Sequence, residues 1–295
     1  MDKSVMFNGR LGKDDVDVWL NLLVENSASG FKDRELAKAF LMLEECITFA
    51  SSLDNKIIGG TSIYRDRTRL AMVLASVAVD KEFRESATYQ IIKSSMPFFK
   101  TVAIRDVDAL VSVSENKNLL GFPLNLELDS WITDILKRIG FSEVNILDHY
   151  TFSIESKIQE RTINWAREVN AKEVRELIWD QSKPMGLTNS LVWLARDFAV
   201  TRRCLETTVV NGQIAGVAGI WKVGNTLCVS PCIIDPEKLN WKQIAGSFVA
   251  KALESGVKYI DLPFVGEGQY DLIRSLENTC SVISCRKLSL MRKPL

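Results

Sequence analysis

The stretch Val79-Asp80-Lys81-Glu82-Phe83-Arg84-Glu85-Ser86-Ala87-Thr88-Tyr89 has the residue order of an anion-binding loop between a strand and a helix. An apolar run over residues 70–79 passes into a charged turn that ends at Arg84, and Ile91 and Ile92 follow at helical spacing. The N–H groups of a first helical turn have no intrahelical partners and carry partial positive charge, so a diphosphate can be held there with little side-chain help. This loop has no glycine, although a backbone approaches an anion most closely where no Cβ intervenes. Arg84 is the residue in it suited to meet a phosphate, its alternative being a solvated helix start.

Other chemistry-bearing residues are sparse. The one histidine, His149, lies in Asp148-His149-Tyr150 and reads as a surface or hydrogen-bonded histidine before it reads as a base. Arg65, Asp66, Arg67 and Arg69 cluster at a turn, as a solvated hairpin end or as a site for an acidic acceptor. Cys228 and Cys232 are four apart in a strand-like run and so share a face. With a single histidine and no nearby third and fourth ligand, they read as buried thiols packing as small hydrophobes, and no metal site is expected.

The elements that must position these groups follow from length and pattern. A chain of 295 residues suits two domains. Lys+Arg and Asp+Glu are balanced at 37 each, which argues against a broad electrostatic footprint for nucleic acid. The longest apolar run, 70–79, is about half of a membrane span, so no membrane segment is expected. The first residues do not resemble a signal peptide, and the six cysteines contain no CxxC pair and are too few for a secreted disulfide scaffold. The expected location is cytoplasmic.

The chain also repeats itself. Leu53-Asp54-Asn55-Lys56-Ile57-Ile58-Gly59-Gly60 resembles Val210-Asn211-Gly212-Gln213-Ile214-Ala215-Gly216-Val217, and in both a turn pair tolerant of positive φ lies between apolar strands. The next strands end at Asp80-Lys81-Glu82 and at Asp235-Pro236-Glu237, about 155 residues apart by this offset. Each is followed by a helix and another strand, 107–114 in one half and 258–264 in the other. Upstream, Asp14 or Asp15 can cap a helix carrying Val16, Trp19, Leu20 and Leu23, and Asn170 can cap one carrying Val174, Leu177 and Ile178. The charged stretch 155–161 is the expected junction, giving domains at residues 1–157 and 158–295.

This order of strands and helices resembles the GNAT family of acetyl-CoA-dependent N-acetyltransferases, as a tandem of two such domains. The implied fold class is α/β (α+β), two GNAT-like domains, each a mixed, mostly antiparallel sheet flanked by helices. The family's fourth strand leads into R-x-x-G-x-G/A; Val79, Glu82, Phe83 and Arg84 match the approach, Ala87 stands at the first glycine and Tyr89 at the second small residue. An aromatic ring there would occupy diphosphate space unless it turns away. In the second half Asp235-Pro236-Glu237 is kept, but Leu239-Asn240-Trp241 replaces the Arg and the loop, so the first half is the expected cofactor site. The family's last helix ends in Tyr-x-x-x-Gly-Phe; here Gly140-Phe141 is kept and Leu136 stands at the tyrosine, after an apparent insertion at 118–129.

The resemblance implies acetyl-CoA as co-substrate, bound by Arg84, Glu85, Ser86, Ala87, Thr88, Tyr89 and Asn116. It also implies main-chain N–H groups near Val77 and Val79 aimed at the thioester where the fourth and fifth strands splay. Glu115, at the end of the fifth strand, is the candidate base acting through a water, and Tyr150 and Tyr89 are candidate proton donors. The implied activity is acyl transfer to a small-molecule or peptide amine by a monomer or homodimer. The alternative is a catalytically inactive GNAT-like protein that binds a ligand or partner; a further one is that the second half serves only as a scaffold for the first.

Overall fold

The computed structural model describes residues 6–26, 34–100, 103–113, 127–155, 163–167 and 170–295. The chain forms two compact units, one of Met1–Asn145 together with Leu288–Leu295 and one of Ile146–Lys287. Each is a mixed, mostly antiparallel sheet flanked by helices. Among the described residues no helix is long and apolar enough to cross a membrane.

In unit 1 the chain runs β1 (Met6–Arg10), α1 (Val16–Asn26), α2 (Arg34–Leu41), β2 (Cys46–Leu53), β3 (Lys56–Asp66), β4 (Ala71–Val79), α3 (Arg84–Ser95), β5 (Asp106–Ser112), β6 (Glu127–Leu128) and α4 (Thr133–Ile139). Strand β7 (Ser142–Ile154) then leads into unit 2. The sheet of unit 1 is ordered β1-β2-β3-β4-β5, and its last member is residues 288–294 of the C-terminal strand β12 (Cys280–Pro294), antiparallel to β5.

Local chemistry explains the elements. Asp54 and Asn55 both take positive φ (49° and 64°), the requirement of a two-residue turn whose twist matches a hairpin, and β2 and β3 pair from Leu53↔Lys56 upward. Strand β4 is buried almost throughout, as its continuous apolar run requires. Gly140 ends α4 in the left-handed conformation (φ 105°), its N–H reaching the carbonyls of Leu136 and Lys137. Helices α3 and α4 cover one face, where Ile92 and Leu136 pack with Phe49, Met72, Leu74, Val111 and Met291. Leu136 is fully buried, so the position where the family carries tyrosine is core. Lys13 donates its ammonium to the carbonyls of Leu41, Leu43 and Cys46, tying the approach to α1 to the end of α2.

Unit 2 continues with α5 (Ala171–Gln181), α6 (Asn189–Thr201), β8 (Leu205–Val210), β9 (Gln213–Val223), β10 (Thr226–Ile234), α7 (Trp241–Glu254), β11 (Tyr259–Val265) and α8 (Tyr270–Glu277). Its strands are ordered β7-β11-β10-β9-β8. The second hairpin repeats the first, with Asn211 and Gly212 at φ 51° and 78°. Asn170 caps α5 through the N–H groups of Lys172 and Glu173, and Asn240 with Gln243 forms a capping box on α7.

The turn 65–69 is less solvated than its sequence suggests. Asp66 is buried, accepting from the Thr68 hydroxyl and from the main chain of Thr68 and Arg69, with the Arg69 guanidinium beside it. Burial alone would raise its pKa; these donors outweigh burial and hold the carboxyl below its usual range.

Strand β12 is fastened to β5 by Asp108, which is 1% exposed and accepts two hydrogen bonds from Arg292, at 2.8 and 3.1 Å. Removing one member of such a pair strands a buried charge. Arg292→Met should therefore destabilise the protein by about 3 kcal/mol in urea denaturation, with part of the loss recovered when Asp108→Asn is added. Equal midpoints for wild type and Arg292→Met would show that the pair does not hold β12.

Candidate active site

Where β4 and β5 part is set by main-chain geometry. The two strands are parallel, and among the described residues they pair at one position, Val73↔Asp108. The N–H of Asp80 donates to Ile58, its opposite number on β3, so in this antiparallel ladder residues 80 and 78 face β3. Val77 and Val79 consequently turn their N–H and C=O groups the other way, toward the opening between β4 and β5. Strand β5 alternates in the same way. Leu295 donates to Arg105 in the β12 ladder, so residues 107, 109 and 111 face β12, and Asp108 and Leu110 face the opening.

At the end of β4, Asp80 accepts from the N–H of Glu82, which lowers its pKa, and Arg84 begins α3. Glu85 and Ser86 are exposed. Ala87 turns its methyl into a small core with Ile58, Val79 and Ile91, and Thr88 is buried, its hydroxyl donating to Arg84. The ring of Tyr89 lies 5.0 Å from the Arg138 guanidinium and 5.4 Å from the Lys93 ammonium, so it faces cations at the surface of α3 and α4. Glu115 and Asn116 lie outside the described residues.

Beside this first turn is a cavity of about 460 Å³ lined by Lys81, Glu82, Arg84, Glu85, Trp131 and Ile135. Tyr89 is not among its walls. The Arg84 guanidinium sits 4.7 Å from the Trp131 ring centroid and donates to the carbonyl of Asn26 at the end of α1, while its Nε has no hydrogen-bond partner among the described residues. Trp131 packs against both apolar clusters of the α3 face and donates to Asp129. Below it, β6 pairs in parallel with β5 at Leu110↔Glu127 and Val111↔Leu128 and also adjoins β4. Leu128 is buried in the same core as Met72, Leu74 and Val111. The sequence showed Glu127 and Leu128 only as the end of an insertion.

Unit 2 parts its strands in the corresponding place. Strands β10 and β11 pair in parallel from Thr226↔Tyr259 to Cys228↔Asp261. Asp261 is 2% exposed and accepts from the Thr151 hydroxyl at 2.6 Å, with His149 Nε2 3.0 Å from both of its oxygens. Arg286 lies 2.6 Å from His149 Nδ1. Because a guanidinium can only donate, Nδ1 accepts and Nε2–H points at Asp261, so both ring nitrogens are engaged and no base is free. Beyond Asp261 the opening is bridged by buried Gln269, whose Nε2 donates to the Cys232 carbonyl at 2.7 Å and whose Oε1 accepts from Gly266 at 3.0 Å. Gly266 also has no space for a side chain, since a Cβ would lie 2.0 Å from the carbonyl of Met185.

The other candidates in unit 2 are held by their neighbours. The Tyr150 hydroxyl is pushed up by burial and by Cys285, and Tyr270 donates to buried Asp148 at 2.7 Å, with the Lys287 ammonium 2.7 Å from the same carboxylate. Cys228 and Cys232 are buried, and burial pushes the Cys232 thiol up to about 12. The loop after β10 borders a cavity of about 390 Å³ whose walls include Glu173, Glu176, Asp180 and Asp235 against Lys238 alone among cations, an unfavourable setting for a phosphate.

Solved structures share the fold. A putative acetyltransferase from Pyrococcus horikoshii superposes with a TM-score of 0.66 at 12% identity, over 100% of this chain and 91% of its own. A tandem GNAT protein from the clavulanic acid biosynthesis pathway gives 0.63 at 11% identity, over 98% of both chains. The fold is that of the GCN5-related N-acetyltransferases. A further member, from Sphaerobacter thermophilus, gives 0.57 at 10% identity over 98% of this chain and 95% of its own. No family model and no curated protein matches the sequence.

The Gln269 bridge is testable by itself. Gln269→Leu keeps the volume and leaves the Cys232 carbonyl and the Gly266 N–H buried without partners, so it should cost about 2 kcal/mol of stability in chemical denaturation. An unchanged midpoint would mean that water satisfies both groups.

Proposed function

We propose that unit 1 transfers an acyl group, acetyl in the simplest case, from coenzyme A to an amine. The observation that carries this reading is the pair of main-chain N–H groups of Val77 and Val79 turned into the β4–β5 opening next to the first turn of α3. The structural neighbours named above, acetyltransferases by description, support the same reaction class.

In this reading the diphosphate of acyl-CoA lies against the main chain of residues 84–89, with Arg84 as its side-chain contact. The thioester carbonyl takes hydrogen bonds from Val77 and Val79, which stabilise the oxyanion as the amine adds. Glu115 takes the amine proton through a water, and Asn116 contacts the cofactor. The C–N bond forms, the C–S bond breaks, and coenzyme A leaves as a thiolate protonated from solvent, because Leu136 supplies no acid. The acceptor is a small-molecule or peptide amine. Unit 2, bridged by Gln269 and acidic at its β10 loop, acts as a scaffold and contributes no cofactor site.

Calorimetric titration of acetyl-CoA into the protein should give one saturable site per chain. Arg84→Ala should weaken it about tenfold, or about 1.4 kcal/mol, and Asp235→Ala should leave it unchanged. Glu115→Gln should lower turnover of an accepted amine at least a hundredfold with affinity retained. Absence of acetyl-CoA binding both by the intact protein and by folded variants that shorten Leu128 or Trp131 would refute the acyltransferase reading.

A further inference from the structure

The opening that an acyl-CoA must enter already has an occupant. The arm of coenzyme A carries two secondary amides, so it needs strand-like partners on the edges of β4 and β5. On β5 Asp108 and Leu110 turn toward that opening; Asp108 pairs with β4 and Leu110 with Glu127 of β6. On the α3 side Leu128 fills the core between Met72, Leu74 and Val111, and Trp131 seals the layer above it with Arg84 stacked on its ring. The cavity of about 460 Å³ therefore begins beyond Trp131 and reaches the helix start, while β6 adjoins the groove below.

The geometry points to an autoinhibited unit 1, in which β6 and Trp131 hold the acyl-carrier groove shut and acyl-CoA binds only to the fraction of molecules in which they have left it. This rests on the acyltransferase reading. Opening withdraws Leu128 from the core, and two features let the rest of the sheet stand without it. First, β6 is two residues long and is joined to the sheet on one edge, that of β5, whereas β5 stays in the sheet through its long ladder to β12. Second, the walls of the groove do not depend on β6: β4 pairs with β3 from Ala71 to Val79, and the apex is held by Asp108 and Arg292. Leaving would free Leu110 on β5 for the amides of the arm and uncover the face of the Arg84 guanidinium that lies on Trp131 for the diphosphate, with its bond to the Asn26 carbonyl kept. An affinity measured on the closed form is reduced by the fraction that is open.

Residue-resolved hydrogen exchange reads the closure without any ligand. The amides of Ala109 and Val111 face β12 and that of Leu110 faces β6, so in the free protein Leu110 should exchange at least a hundredfold faster than both neighbours. Calorimetry reads the groove: Trp131→Ala, and independently Leu128→Ala, should bind acetyl-CoA about tenfold more tightly than wild type, each checked by thermal melting to be folded. Leu110 protected as well as Ala109 and Val111 would overturn the inference. So would binding by the folded variants that is no tighter than wild type's, and in that case the acyltransferase reading survives. No acetyl-CoA binding by wild type or by either folded variant would overturn both.

Discussion

The fork by which half-buried Arg292 holds buried Asp108 fixes the point from which the rest of unit 1 is laid out. Asp108 is the residue of β5 that still pairs with β4, and its carboxylate is held by the strand on the other side of β5. A carboxylate that is 1% exposed must be fully hydrogen-bonded, so β5 cannot slide against β12 without losing both bonds. With β5 held, the twist of the sheet carries β4 away beyond Val73, and the alternation of an antiparallel ladder decides that Val77, Val79 and Leu110 face the space between.

Unit 2 keeps the principle with different chemistry. Asp261 stands at the last residue of the parallel β10–β11 pairing, as Asp108 does in β5, and it too is almost fully buried. Its partners are His149 and Thr151, with Arg286 on the far nitrogen of the imidazole. A buried carboxylate at the apex of each opening serves the same end, because an acidic group that must be satisfied fixes strand register more tightly than an apolar one that can slip.

The two openings differ in how they are filled. Gln269 bridges its gap with both ends of one amide, and its loop is pressed against Pro184 and Met185 so closely that Gly266 and Gly268 admit no side chain. That filling is part of the core of unit 2. In unit 1 the filling is a two-residue strand and an indole, carried on the segment leading into α4 and bounded by a cavity. Tyr89 obstructs nothing there, since its ring lies against Arg138 and Lys93.

The amino-acid order by itself determined the elements and their duplication. Turn pairs that accept positive φ, buried apolar runs, asparagine caps and the Gly140 helix stop are local requirements, and local requirements are written in consecutive residues. It also located the strand-to-helix turn at Arg84. The aspartates Asp108 and Asp261 match only once the strands are paired, since nothing local distinguishes them from surface charges. Only the tertiary structure decided what faces what. Which edge of β4 its N–H groups leave by depends on the register with β3, and that Arg292 meets Asp108 depends on β12 returning to β5 from the far end of the chain. That β6, Trp131 and Gln269 fill the two openings depends on where segments distant in sequence fold back, which residue type and spacing do not encode.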